Sequence, residues 1–139
     1  MEKELKELVN KLEKSITNDE FIDISYDVVE EIGEREDAFE AIQPILMLVE
    51  KNPNVDFGKP GPLVHFVEKF YKNGYEEKLV ESLKRFPTKH TVWMLNRIIN
   101  GSQGDSKEYF INLLEDVMVY PNIDNEVVLL AKHFRELHS

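Results

Sequence analysis

The chain has no cysteine in 139 residues, which removes disulfides, thiolate metal sites and thiol nucleophiles together. Long apolar runs are missing too. Stretches such as Ile45–Val49 reach five residues, against the ~20 needed to span a bilayer. Met1-Glu2-Lys3-Glu4 carries no apolar signal core, so a soluble cytoplasmic protein with no membrane partner is expected. Positive charge is nearly absent from residues 19–40, where Arg35 is the one base among ten acids. That window carries −9 of the net −10. Such a balance argues against direct nucleic-acid binding, which needs a basic footprint, and suits a basic protein partner. Alternation of period two is also missing, with Val117-Met118-Val119-Tyr120 the one candidate strand. A single strand makes no sheet.

What is present has the helical period. Leu5, Leu8, Val9 and Leu12 predict a first helix over Glu2–Ile16. Asn18 or Asp19 is placed to cap a second that runs to Ile32 and stops at Gly33. A third runs from near Arg35–Asp37 to Lys51, with Pro44 expected to kink it or split off its first turn. Gly58-Lys59-Pro60-Gly61 shapes a corner before a helix that opens at Pro62 and closes at Gly74. Tyr75–Phe86 forms a short helix. Pro87 and Thr88 turn into the densest apolar segment, Thr91–Ile99, where Trp93 is expected in the core. Asp105 or Ser106 caps a seventh helix and Asn122 or Asp124 an eighth. The expectation is a single all-α domain over residues 1–139. It has about eight helices in antiparallel hairpins, stacked as a HEAT-like or irregular array.

At 100° per residue, Glu20, Asp23, Asp27, Glu30, Glu31 and Glu34 share one arc about 100° wide. Phe21, Ile24, Ser25, Val28 and Ile32 take the neighbouring, core-facing arc. Glu36, Asp37 and Glu40 continue the charge into the third helix. Like charges at these spacings destabilise a helix by ~0.2–0.5 kcal/mol per pair, and no base on this helix relieves them. A solvated face and a docking face for a cationic partner are equally served by this pattern. A carboxylate metal site is the weaker reading, since the spacing of a calcium loop is absent. No metal or cofactor is expected.

Catalytic motifs are not found. The four histidines are scattered, and no pair stands four apart with a glutamate between. His65 reads as structural. Asp56-Phe57-Gly58 matches a kinase tripeptide without the rest of that set. A hydrolase would need His65, His90 and carboxylates around one cavity. A non-enzymatic binding protein is expected.

Two segments carry a resemblance: Pro60-Gly61-Pro62-Leu63-Val64-His65-Phe66-Val67-Glu68, and Pro87-Thr88-Lys89-His90-Thr91-Val92-Trp93-Met94-Leu95-Asn96-Arg97-Ile98-Ile99-Asn100-Gly101. Within the span Asp56–Gly101, about a third of the chain, they resemble small bacterial immunity proteins. Those proteins neutralise polymorphic toxins, including toxins of contact-dependent growth inhibition. The resemblance implies an all-helical cytoplasmic protein that binds the C-terminal domain of a cognate toxin and blocks its active site. Many such toxins are nucleases, which present basic surfaces to their substrate, and an acidic immunity protein would mimic the charge of that substrate. The resemblance assigns no contact residue. The partner-binding set Glu20, Asp23, Asp27, Glu30, Glu31, Glu34, Glu36, Asp37 and Glu40 rests on charge alone. The other reading is a helical adaptor for a basic protein or peptide, with no toxin.

Overall fold

The first helix, α1 (Lys3–Lys14), buries Leu5, Val9 and Leu12 and leaves its glutamates and lysines in water. The computed structural model describes Met1–Ser139 and contains eight α-helices, one 3-10 turn and no strand. The all-α expectation holds. After α1 come α2 (Phe21–Gly33), a 3-10 turn (Ala38–Ala41), α3 (Ile42–Lys51) and α4 (Gly61–Glu68). They are followed by α5 (Tyr75–Arg85), α6 (Lys89–Asn100), α7 (Gly104–Met118) and α8 (Asn125–Leu137). None is long and apolar enough to cross a membrane. The chain divides into two compact units, Met1–Lys78 and Leu79–Ser139, with the boundary inside α5.

In the first unit α2 packs against α1 and α4, while α3 packs against the 3-10 turn and α1. Leu5, Leu12, Ile32, Ile42, Ile45, Leu46 and Phe66 are the fully buried centre. Each stabilises the unit by about 1.5–3 kcal/mol relative to exposure. Pro44 acts as expected: the first turn of the third helix separates as the 3-10 segment, and the α-helix starts at Ile42. The corner before α4 is tight. Gly58 holds φ +98, and a Cβ there would lie 2.5 Å from Gly61 Cα. Asp56 accepts a hydrogen bond from Gly58 N–H at 2.8 Å, and Phe57 is buried edge-on to Phe21. The kinase-like tripeptide is thus a turn with a hydrophobic plug.

α4 ends earlier than the sequence suggests. Past Glu68 the chain continues in i→i−3 bonds, from Lys69 N–H to the Phe66 carbonyl and from Phe70 N–H to that of Val67. Left-handed Lys72 and Gly74 then complete the turn into α5. Phe70 packs edge-on to Phe39 and Phe66 across this segment.

In the second unit α6 packs on α7 and α8, and α7 and α8 pack on each other. Thr88 caps α6: its Oγ1 accepts from Thr91 N–H at 3.1 Å, while Thr88 N–H donates to Thr91 Oγ1 at 3.0 Å. The buried face of α6 is Thr91, Val92, Met94, Leu95, Ile98 and Ile99. Trp93 lies off that face and is only half-buried, with the Arg97 guanidinium 5.0 Å from its ring centre. Its expected place in the core is corrected by helical phase. Trp93 sits about 100° beyond the nearest core position.

α7 begins at Gly104, with Gln103 at the cap position in place of Asp105 or Ser106. Asp124 caps α8, accepting from Glu126 N–H at 2.9 Å. Val117-Met118-Val119-Tyr120 is the end of α7, not a strand, and Val119 is 80% exposed. Tyr120 Oη donates to the Arg85 carbonyl at 2.7 Å, satisfying the open end of α5.

Candidate functional site

α2 forms because Phe21, Ser25, Val28, Val29 and Ile32 recur on one face and bury there. Its entry is set by Asn18, whose Oδ1 accepts from Glu20 N–H at 2.8 Å. Glu20 occupies the cap position but makes no side-chain cap bond. Ser25 is fully buried and spends its hydroxyl on the Phe21 carbonyl at 2.7 Å. The exit is not the left-handed glycine that the sequence suggests. Gly33 is the last helical residue, and Glu34 follows it in right-handed geometry. The φ of Gly33 is not in the left-handed region.

The opposite face presents the acidic arc. Asp23, Asp27, Glu30 and Glu31 project from α2, with Glu20 and Glu34 at its two ends, and all six are exposed. Asp23 lies in the first turn, where the helix dipole favours a carboxylate. Glu30, Glu31 and Glu34 crowd the last turn, where it opposes one, and α2 itself contributes no basic residue there. None of the six makes an ion pair within the chain. The arc is a row of like charges without an ion pair, which local stability disfavours, with Lys11 and Lys69 in the clefts on either side.

The remaining three expected carboxylates are placed differently. Glu36 is exposed in the turn after α2. Asp37 is half-buried and gives both oxygens to Arg35, Oδ1 to Nε at 2.8 Å and Oδ2 to Nη2 at 3.1 Å. Arg35 also reaches Glu4 Oε2 at 3.0 Å. These hydrogen bonds hold the Asp37 carboxyl below its ordinary pKa. The one base of the window is therefore spent on Asp37 and on α1, leaving the arc uncovered. Asp37, expected among the partner-binding carboxylates, is thus paired within the fold. Glu40 lines another cleft of about 430 Å³ with Phe39, Pro44 and Met47.

Two clefts flank the arc. One, between α1 and α2, holds about 490 Å³ and is bordered by Glu7, Leu8, Lys11, Glu31 and Glu34. The other, between α2 and α4, holds about 400 Å³ and is bordered by Tyr26, Glu30, Glu34, His65 and Phe66. Tyr26 is the functional candidate that charge reasoning misses. The residue is 50% exposed and shares the α2–α4 cleft with Glu30 and Glu34. The signal was in the sequence, because at 100° per residue Tyr26 falls outside the core arc of α2.

No three His, Asp or Glu side chains are grouped so as to hold a metal ion. His65 is an exposed residue of the α2–α4 cleft, whose lining does not include His90. Compared with protein-family models, curated proteins and solved structures, the chain matches none of them.

Proposed function

We propose that this chain is an immunity protein that binds the C-terminal domain of a cognate toxin through the acidic face of α2. The toxin that fits best is a nuclease, whose active site or substrate surface the acidic face would cover. One observation carries the reading. Six exposed carboxylates share a single helix arc with no ion pair among them. Such an arc repels itself when the protein is alone, and a cationic surface relieves that repulsion. A nuclease presents a cationic surface because it must bind phosphates. Long-range attraction would speed encounter, and a few desolvated contacts would hold the complex.

The test is growth rescue. The C-terminal domain encoded immediately upstream is expressed with and without this protein. Rescue, with a stable co-purifying complex, is expected. The triple variant Asp23→Lys, Asp27→Lys, Glu31→Lys is expected to fold and fail to rescue. A toxic neighbour that the wild-type protein neither rescues nor binds overturns the reading in favour of a helical adaptor for another basic protein.

A further inference from the structure

The cleft between α2 and α4 has an apolar floor and an acidic, aromatic rim. Val29 and Phe66 form the floor and are buried. Tyr26, Glu30 and Glu34 form the rim on the α2 side, spaced by successive turns of the helix. What opens the floor is Gly33, and nothing in the fold asks for glycine there. Its φ is ordinary, and a Cβ would meet no atom closer than Lys69 Nζ at 3.9 Å. A glycine inside a helix with neither steric nor backbone demand weakens that helix. Here it keeps a cleft empty.

A cation already approaches this end of α2. The Lys69 ammonium lies 3.9 Å from where a Gly33 Cβ would stand, at the C-terminal end of the helix dipole, and makes no ion pair. We propose that the cleft seats one arginine side chain of the basic partner, with Lys69 displaced as it enters. The stem lies over Gly33 and Val29, and the guanidinium stands against the Tyr26 ring and pairs with Glu30 and Glu34. Arginine fits better than lysine. A planar fork can engage two carboxylates one turn apart and stack on an aromatic face, whereas an ammonium is a strongly hydrated point charge. This rests on the reading that the α2 face docks a basic protein, and names the anchor of that partner.

The experiment follows amide and tyrosine-ring resonances of the full chain during titration with acetyl-Gly-Arg-Gly-amide, its lysine counterpart and an oligolysine. The arginine peptide is expected to move Tyr26, Glu30 and Gly33 and to bind about two- to fivefold tighter than the lysine peptide. Gly33→Met, which fills the cleft at constant charge, should erase that preference and leave oligolysine binding unchanged. Lys69→Ala should strengthen the arginine peptide. Circular dichroism confirms that each variant is folded. Equal binding of the two peptides, or indifference to Gly33→Met while oligolysine still binds the arc, overturns the arginine site and spares the docking face. No binding of oligolysine at low salt overturns both.

Discussion

Asp37 and Arg35 form a two-bond ion pair, with Nε–Oδ1 at 2.8 Å and Nη2–Oδ2 at 3.1 Å, and each side chain is 22% exposed. The pair closes the turn between α2 and the 3-10 segment. By also holding Glu4, Arg35 ties that turn to α1. The only base in the acidic window thereby serves the fold. The carboxylates of the α2 arc are left without an ion pair.

The pair makes a prediction about acid. The Asp37 pKa is lowered in the folded chain, chiefly by its hydrogen bonds to Arg35. Its contribution is therefore present above the unfolded carboxylate value of about 3.9 and lost as pH falls through the lower folded value. Asp37→Asn should be less stable than wild type at neutral pH, with the gap narrowing below about pH 4. Urea unfolding across pH tests this. A gap that stays constant into acid would assign the loss to packing instead of charge.

The arc predicts opposite signs for stability and binding. Asp27 lies four residues from Asp23 and Glu31 and three from Glu30, all exposed. Asp27→Lys removes three repulsive pairs and adds attractive ones, so it should stabilise the protein by about 1 kcal/mol. It should also slow association with the cognate toxin domain, most at low ionic strength. Stopped-flow kinetics and urea melts on one variant read both. A gain in stability with an unchanged association rate would make the arc a solvated face.

Much of this fold could be read from spacing. Leu5, Val9 and Leu12 placed α1, Pro44 placed the break before α3, and Asp124 capped α8 where a short acceptor was expected. The acidic arc needed only the helical angle. What spacing hides is any relation between distant residues. The Arg35–Glu4 contact joins positions 31 apart, and α2 finds α4 by skipping α3. The clefts beside the arc, and the role of Gly33 in one of them, follow from those pairings. Trp93 misleads for another reason. Its size suggests a core, but its phase on α6 sets it beside Arg97 at the surface.

Two glycines should respond oppositely to the same substitution. Gly74 has φ +105, and a Cβ there would lie 2.8 Å from Phe39 Cζ, in the ring that packs on Phe70. Gly74→Ala should cost about 1–3 kcal/mol through backbone strain alone, with the displacement of Phe39 added. Gly33→Ala meets no such contact and should gain up to about 1 kcal/mol. Paired chemical denaturation decides. A loss at Gly33 equal to that at Gly74 would mean that the C-terminal end of α2 cannot take a side chain, and that the cleft is structural.

The second unit depends on how α6 begins. Thr88 and Thr91 are both fully buried and satisfy each other's polar groups, the amide N–H of each donating to the hydroxyl oxygen of the other. Thr88→Val keeps the shape but leaves Thr91 N–H without its acceptor in a place water does not reach. The cost should be about 1–2 kcal/mol, at the upper end for a helix cap. Thr91→Val removes the return bond to Thr88 N–H and should cost a comparable amount. The double variant should lose less than the two singles added, because each single already breaks the shared box. A double-mutant cycle by urea unfolding measures this. Simple additivity would mean that the two threonines act through packing, and that the start of α6 is held by Val92, Leu95 and Ile99 instead.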